Sequence, residues 1–174
     1  HQARELIEHL RQTRCLVMGT SGGAVVALLM AIHYPQHVQA VIADSCVEQF
    51  SPEMLQKNMT ERAQRTPGQI AFWQHAHGDD WPQVVDADSN LLLHFAENGG
   101  DWFKGRLTEI KCPVLFTASK QDTALPNVTQ QICRMAEQVA HSRVFLNNEG
   151  DHPLMWSRPN DFRHISDYFL ESVS

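Results

Sequence analysis

The ten residues 15–24, CLVMGTSGGA, constrain the fold more than any other part of the chain. Residues 15–18 read as a short buried strand, and residues 19–23 turn the chain sharply. Residues 24–32, AVVALLMAI, are then apolar all round, the pattern of a helix buried on every side, and Pro35 follows its end. A strand that becomes a helix within five residues needs small residues where the two cross. Gly19, Gly23, Ala24 and Ala27 supply them. The turn leaves Ser21 at its apex, strained, with the hydroxyl exposed at the end of a sheet.

The alternation continues along the chain. Residues 3–12 place Leu6, Ile7 and Leu10 on one helical face. Residues 38–43 (VQAVIA), 113–118 (PVLFTA) and 143–146 (RVFL) read as three further strands. Residues 126–139 form a helix with Val128, Ile132, Met135 and Val139 on one side, and Pro159 opens a last helix carrying Phe162, Ile165, Phe169 and Leu170. Strands alternating with helices predict an α/β fold, a mostly parallel sheet flanked by helices, with ligands beyond the carboxyl ends of the strands. Between residues 45 and 110 the pattern breaks into short helical pieces around Pro52, Pro67, Pro82 and the pair Gly99 and Gly100. Residues 1–44 and 111–174 are therefore expected to form the core, and residues 45–110 an inserted helical cap.

At 174 residues the chain fits one domain, and with 43% hydrophobic and 20% charged residues it can bury a core. A net charge of -6, without a run of Lys or Arg, argues against nucleic acid and anionic membranes as partners. The longest apolar run is about half of what a bilayer crossing requires. Cys15, Cys46, Cys112 and Cys133 are scattered, without a CxxC pair, and read as free buried thiols of a cytoplasmic protein. The chain opens on His1 with no leader pattern before the first helix, so no signal peptide is visible and an upstream start is allowed.

Residues 19–23 match GxSxG between strand and helix, the setting of a nucleophile elbow. A serine hydroxyl is a weak nucleophile that needs an imidazole as base and a third group to orient the imidazole. Asp122 follows the strand 113–118 within SKQD, and His152 follows the last strand within EGDHP. In order and position, Ser21, Asp122 and His152 resemble the triad of the α/β-hydrolase superfamily, and within it the chain looks most similar to capped esterase-like and valacyclovir-hydrolase-like enzymes. The resemblance implies a partial α/β-hydrolase fold and a serine hydrolase of carboxylic esters or related acyl compounds, with no metal and no cofactor. It implies Ser21 as nucleophile, His152 as base and Asp122 as orienting acid. The Gly22 N–H would supply one oxyanion-hole donor, and Thr20, Met155 and Trp156 would border the substrate. The chain departs from the pattern at three points. The strands that precede the elbow in such enzymes are missing, so a preceding segment or a second copy is expected to complete the sheet. The HG segment that brings a second oxyanion donor is missing with them. Gly22 stands where valacyclovir-type enzymes carry an acidic residue that selects α-amino esters.

Blander readings stand beside each of these. GTSGGA could be a glycine-rich turn, though GxGxxG is not matched and no Lys follows for a phosphate loop. Asp122 could be a turn or capping residue. Asp44, at the end of strand 38–43, is the rival acid, and Asp151 is expected to shape the His152 loop. The segment HAHGDD at residues 75–80 imitates a zinc motif but lacks the final His, and reads as a polar turn. Phe72, Trp73, Trp81, Trp102 and Phe103 could line an acyl pocket or fill a core. The rival from another class is a noncatalytic hydrolase-fold protein, a ligand-binding or assembly module.

Overall fold

The computed structural model of the chain describes residues 1–125 and 127–173. The described residues form a parallel four-stranded sheet in sequence order, from β1 (Cys15–Thr20) through β2 (Val38–Asp44) and β3 (Val114–Ser119) to β4 (Ser142–Asn147). All three pairings are parallel, so each connection crosses over one face of the sheet. Helix α1 (Gln2–His9) precedes β1, and α2 (Gly22–His33) links β1 to β2. After α3 (Pro52–Ala63), α4 (Pro67–His77) and α5 (Trp81–Glu97), helix α6 (Val128–Gln138) links β3 to β4. The chain closes with the short α7 (Leu154–Ser157) and with α8 (Pro159–Glu171).

The chain divides into two compact units, Gln49–Asp101 and the remainder. In the larger unit β2 and β3 are buried almost throughout, as central strands of a parallel sheet require. Ala40, Ile42 and Leu115 on one face pack with Phe162 and Phe169 of α8, and Phe145, Met155, Ile165 and Leu170 border this cluster. Residues 102–110 belong to the same unit, where Phe103, Leu107 and Ile110 are buried. The smaller compact unit therefore covers residues 49–101.

In the smaller unit the prolines start helices. Pro52 and Pro67 each hold the first helical position, where a missing N–H removes no hydrogen bond. The Ser51 hydroxyl accepts from Met54 N at 3.3 Å, and Thr66 with Gln69 closes a reciprocal capping box. Leu55 and Val85 are buried, and Trp73 stacks on Trp81 with ring centroids 5.5 Å apart.

Several expectations need correction. Residues 15–18 are not a buried strand, because β1 is an edge of the sheet and Leu16 and Met18 are 45% and 57% exposed. Helix α2 is not buried on every side, since Val26 is 52% exposed while Ala24, Ala27 and Leu28 are covered. On α1 only Ile7 is buried, and Leu6 and Leu10 face outward. The expected start of the α6 helix at Pro126 lies outside the described residues, and Val139 has left the helix for an extended conformation. All four thiols are free, but only Cys46 and Cys112 are buried, while Cys15 is half-buried and Cys133 exposed.

Candidate active site

Because the strands are parallel, their carboxyl ends share one edge of the sheet, and four consecutive strand ends carry Ser21, Asp44, Asp122 and His152. Ser21 sits between β1 and α2 with φ 53° and ψ −123°, a left-handed conformation for a residue with a side chain. Such a position costs on the order of 1–3 kcal/mol and persists only where the surroundings enforce it. Here the Ser21 N–H donates to the Asp44 carbonyl at 2.8 Å, and the Ser21 carbonyl accepts from Ala24 N at 3.0 Å. Gly19 permits the strand and helix to cross. A Cβ at Gly19 would lie 2.1 Å from the Gly23 carbonyl oxygen and 2.7 Å from Ala24 N. Gly23 differs from its expected role, since a Cβ there would meet nothing within 4 Å. The close approach is made by the Gly23 backbone, so only Gly19 has to lack a side chain.

The three expected residues are brought together. His152 Nε2 lies 3.0 Å from Ser21 Oγ, and His152 Nδ1 lies 2.8 Å from Asp122 Oδ2. The other Asp122 oxygen accepts from Ala124 N at 3.0 Å and Leu125 N at 2.9 Å, and the side chain is fully buried. An ionised carboxylate only accepts hydrogen bonds, so Nδ1 of His152 donates and Nε2 is left to accept from the serine hydroxyl. The Gly22 N–H lies in the first turn of α2, where amides have no acceptor inside the helix.

Asp151 joins the two loops. Its Oδ1 accepts from His152 N at 2.8 Å and from Thr123 N and Oγ1 at 2.9 and 2.8 Å. These bonds, the Thr123 N–H first, hold the Asp151 carboxyl below its ordinary range. Ser119 Oγ adds a second tie by donating to the Gly150 carbonyl at 2.8 Å. Gly150 has φ 105°, and a Cβ there would lie 2.7 Å from Arg158 Cγ and 2.9 Å from Ser157 Oγ, so the bend before His152 needs glycine.

The remaining candidates are placed differently from one another. Asp44 meets Ser21 through its backbone carbonyl, and its carboxylate accepts from Thr20, Ser45, Thr117 and Met155 rather than from the imidazole. Burial raises the Asp44 carboxyl above its ordinary value, against the pull of those four hydrogen bonds. The Thr20 hydroxyl is thus turned toward Asp44, and the Met155 side chain packs beside the α8 cluster. Trp156 is 61% exposed. Ser45, Thr117 and Thr123 belong to this hydrogen-bonded frame and were not singled out in the sequence. For Ser45 and Thr117 the signal is a polar residue ending or interrupting an apolar strand. His75 and His77 are two apart on α4 and do not share a face, and among the described residues no group of three His, Cys, Asp or Glu side chains is placed to hold a metal ion.

Residues 6–99 match the model of the Esterase family, whose description is "Putative esterase". This stretch spans more than half of the chain, from α1 through the elbow to the end of α5. The chain belongs to this esterase family. Solved structures extend the likeness to the whole fold. A hydrolase from Pseudomonas aeruginosa PA01 superposes with a TM-score of 0.68 at 19% identity, over 97% of this chain and 69% of that one. An enol-lactonase from Burkholderia xenovorans LB400 gives 0.67 at 19%, over 98% and 70%. A proline iminopeptidase from Mycobacterium smegmatis gives 0.63 at 18%, over 99% and 70%. The chain therefore has an α/β-hydrolase fold, and it spans about seven-tenths of the length of these neighbours. Its valacyclovir-hydrolase-like character receives no support from them. Among the described residues, no helix is long and apolar enough to cross a membrane.

Proposed function

We propose that the chain is a serine hydrolase of carboxylic esters or related acyl compounds, acting through an acyl-enzyme on Ser21. The observation that carries this reading is the unbroken line of hydrogen bonds from Asp122 through His152 to a strained Ser21, at 2.8 and 3.0 Å. In this reading Ser21 Oγ attacks the substrate carbonyl carbon while His152 Nε2 takes its proton. The tetrahedral oxyanion is met by the Gly22 N–H, and a single donor of this kind is worth about 3–4 kcal/mol at the transition state. Collapse of the intermediate breaks the carbon–oxygen bond of the ester, and the departing alcohol takes the proton from His152. Water then attacks the acyl-serine with His152 again as base, which releases the acid and restores Ser21. Asp122 keeps the imidazole in the tautomer that can accept and steadies the imidazolium between the two proton transfers.

The neighbours named above act on an enol-lactone and on a peptide, so the fold leaves the acyl group and leaving group open, and these depend on the pocket. In this reading the helical unit Gln49–Asp101 is the cap of the enzyme, and Met155 and Trp156 are candidates for contact with the acyl chain. The test is intact-mass measurement after incubation with a fluorophosphonate. A single adduct on the native chain, absent in Ser21→Ala, is expected, together with hydrolysis of short p-nitrophenyl esters. A folded chain that takes no adduct and turns over no ester would refute the reading and favour a noncatalytic module.

A further inference from the structure

At the carboxyl end of the sheet, Thr20, Asp44 and Thr117 stand side by side on β1, β2 and β3, in register. They form a polar row directly above the apolar cluster of Ala40, Ile42 and Leu115. Asp44 is the centre of this row and is completely buried. Its Oδ1 accepts from Thr117 Oγ1 at 2.7 Å and from Ser45 Oγ at 3.3 Å. Its Oδ2 accepts from Thr20 Oγ1 at 3.0 Å and from Met155 N at 3.1 Å. No cation answers the charge among these contacts. A buried carboxylate without a counter-ion is costly, and four donors that all converge on it are what make the position tenable.

Two of the links lead to the proposed catalytic residues. Thr20 immediately precedes Ser21, and the Ser21 N–H itself donates to the Asp44 carbonyl at 2.8 Å. On the other side, helix α7 begins two residues after His152 and has no capping side chain of its own. Its first two amides are capped from across the sheet, Leu154 N by Ser45 Oγ at 3.0 Å and Met155 N by Asp44 Oδ2. The opening amides of a helix need acceptors, and a carboxylate suits them best. Ser45 is held for this task with φ 51°, its own N–H donating to the Thr117 carbonyl at 2.8 Å.

We propose that Asp44, seconded by Ser45, is a positioning residue that fixes the distance between Ser21 and His152 by fastening the end of β1 and the start of α7 to one carboxylate. Its carboxylate is given to Thr20, Ser45, Thr117 and Met155 rather than to the imidazole or to Ser21 Oγ, and it acts through these hydrogen bonds rather than as a second orienting acid. The effect on turnover rests on the serine-hydrolase reading. The effect on the His152 ring does not.

The experiment compares the full chain with Asp44→Ala and Asp44→Asn. An asparagine can keep its carbonyl toward Met155 N and Thr20 and turn its amide toward Thr117 and Ser45, whose hydroxyl oxygens can accept. The first readout is the ring Nδ1–H signal of His152 in NMR, protected from exchange by Asp122. That signal is expected in the native chain and in Asp44→Asn, and lost or broadened in Asp44→Ala. The second readout is turnover of a short p-nitrophenyl ester. A displacement of about 1 Å at a reacting pair costs on the order of 100-fold in rate, so kcat should fall about 100-fold in Asp44→Ala with KM changed less than about threefold, and fall less than about tenfold in Asp44→Asn. If Asp44→Ala does not fold, Ser45→Ala, which removes only the Leu154 cap and one donor, should show the same weakening of the ring signal and a fall in kcat. A folded Asp44→Ala with a native ring signal overturns the proposal, as does an Asp44→Asn as damaging as Asp44→Ala. A native chain that shows the ring signal but neither turnover nor a phosphonate adduct refutes the serine-hydrolase reading, and the ring signal of the variants still decides the role of Asp44.

Discussion

Replacing Gly19 by alanine tests whether the elbow depends on the crossing of β1 and α2. The added Cβ would lie 2.1 Å from the Gly23 carbonyl oxygen and 2.3 Å from its carbon, both backbone atoms that cannot swing away. An ordinary contact begins at 3.4 Å, so the crossing must open by about 1.3 Å, in a core packed too tightly to absorb it freely. Overpacking of this kind costs about 1–3 kcal/mol, and in a chain of this size each kcal/mol lowers Tm by about 2–4 °C. Because Ser21 hangs between the two elements, its rate of phosphonylation should drop by about 100-fold along with the stability. Gly23→Ala is the control. Its Cβ meets nothing, and exchanging glycine for alanine in a helix gains up to about 1 kcal/mol, so Tm should hold or rise. The measurements are a thermal melt and the second-order rate of fluorophosphonate labelling. Native melting and labelling in Gly19→Ala, or equal damage from the two substitutions, would refute the argument.

Two further outcomes follow from buried charge and from the open edge. Burial raises the Asp44 carboxyl above the ordinary 3.8, so the folded chain holds that proton to a higher pH than the unfolded chain does. The associated stability is fully present below 3.8 and is lost as pH rises through the folded value, a loss that Asp44→Asn does not suffer. The difference in Tm between Asp44→Asn and the native chain should therefore move in the variant's favour from about pH 4 to about pH 8, and a flat difference would refute it. Among the described residues strand β1 has one neighbour and exposes Leu16 and Met18, and open apolar edges recruit further strands. The 174-residue chain is expected to self-associate in sedimentation velocity, and Leu16→Lys with Met18→Lys should make it monomeric; a native chain that is monomeric at all concentrations refutes pairing between copies.

What the sequence discloses here depends on whether a residue's partner is near it in the chain. The elbow is local: the apolar run before Gly19, the GxSxG spacing and the apolar run after it lie within one turn of chain, and the structure needs Gly19 for a reason that pattern can state. Asp122 and His152 are recognisable because each falls just past a strand, and parallel strands bring all such positions to one edge whatever their separation in sequence. Burial is less legible, since the apolar runs of β1 and α2 read as core although Leu16 and Met18 on the edge strand and Val26 on the helix lie exposed. A hydrophobic pattern reports which face of an element seeks cover, and tertiary neighbours decide whether it finds it. The role of Asp44 is hidden for the same reason. Its position at a strand end makes it equal to Asp122 in sequence, but the acceptors of the α7 amides lie 109 and 111 residues away, and register places Thr20 and Thr117 on either side of it. One of these two acids turns an oxygen to an imidazole, and the other gives both oxygens to hydroxyls and a backbone amide from across the sheet, a choice made by strand register rather than by spacing.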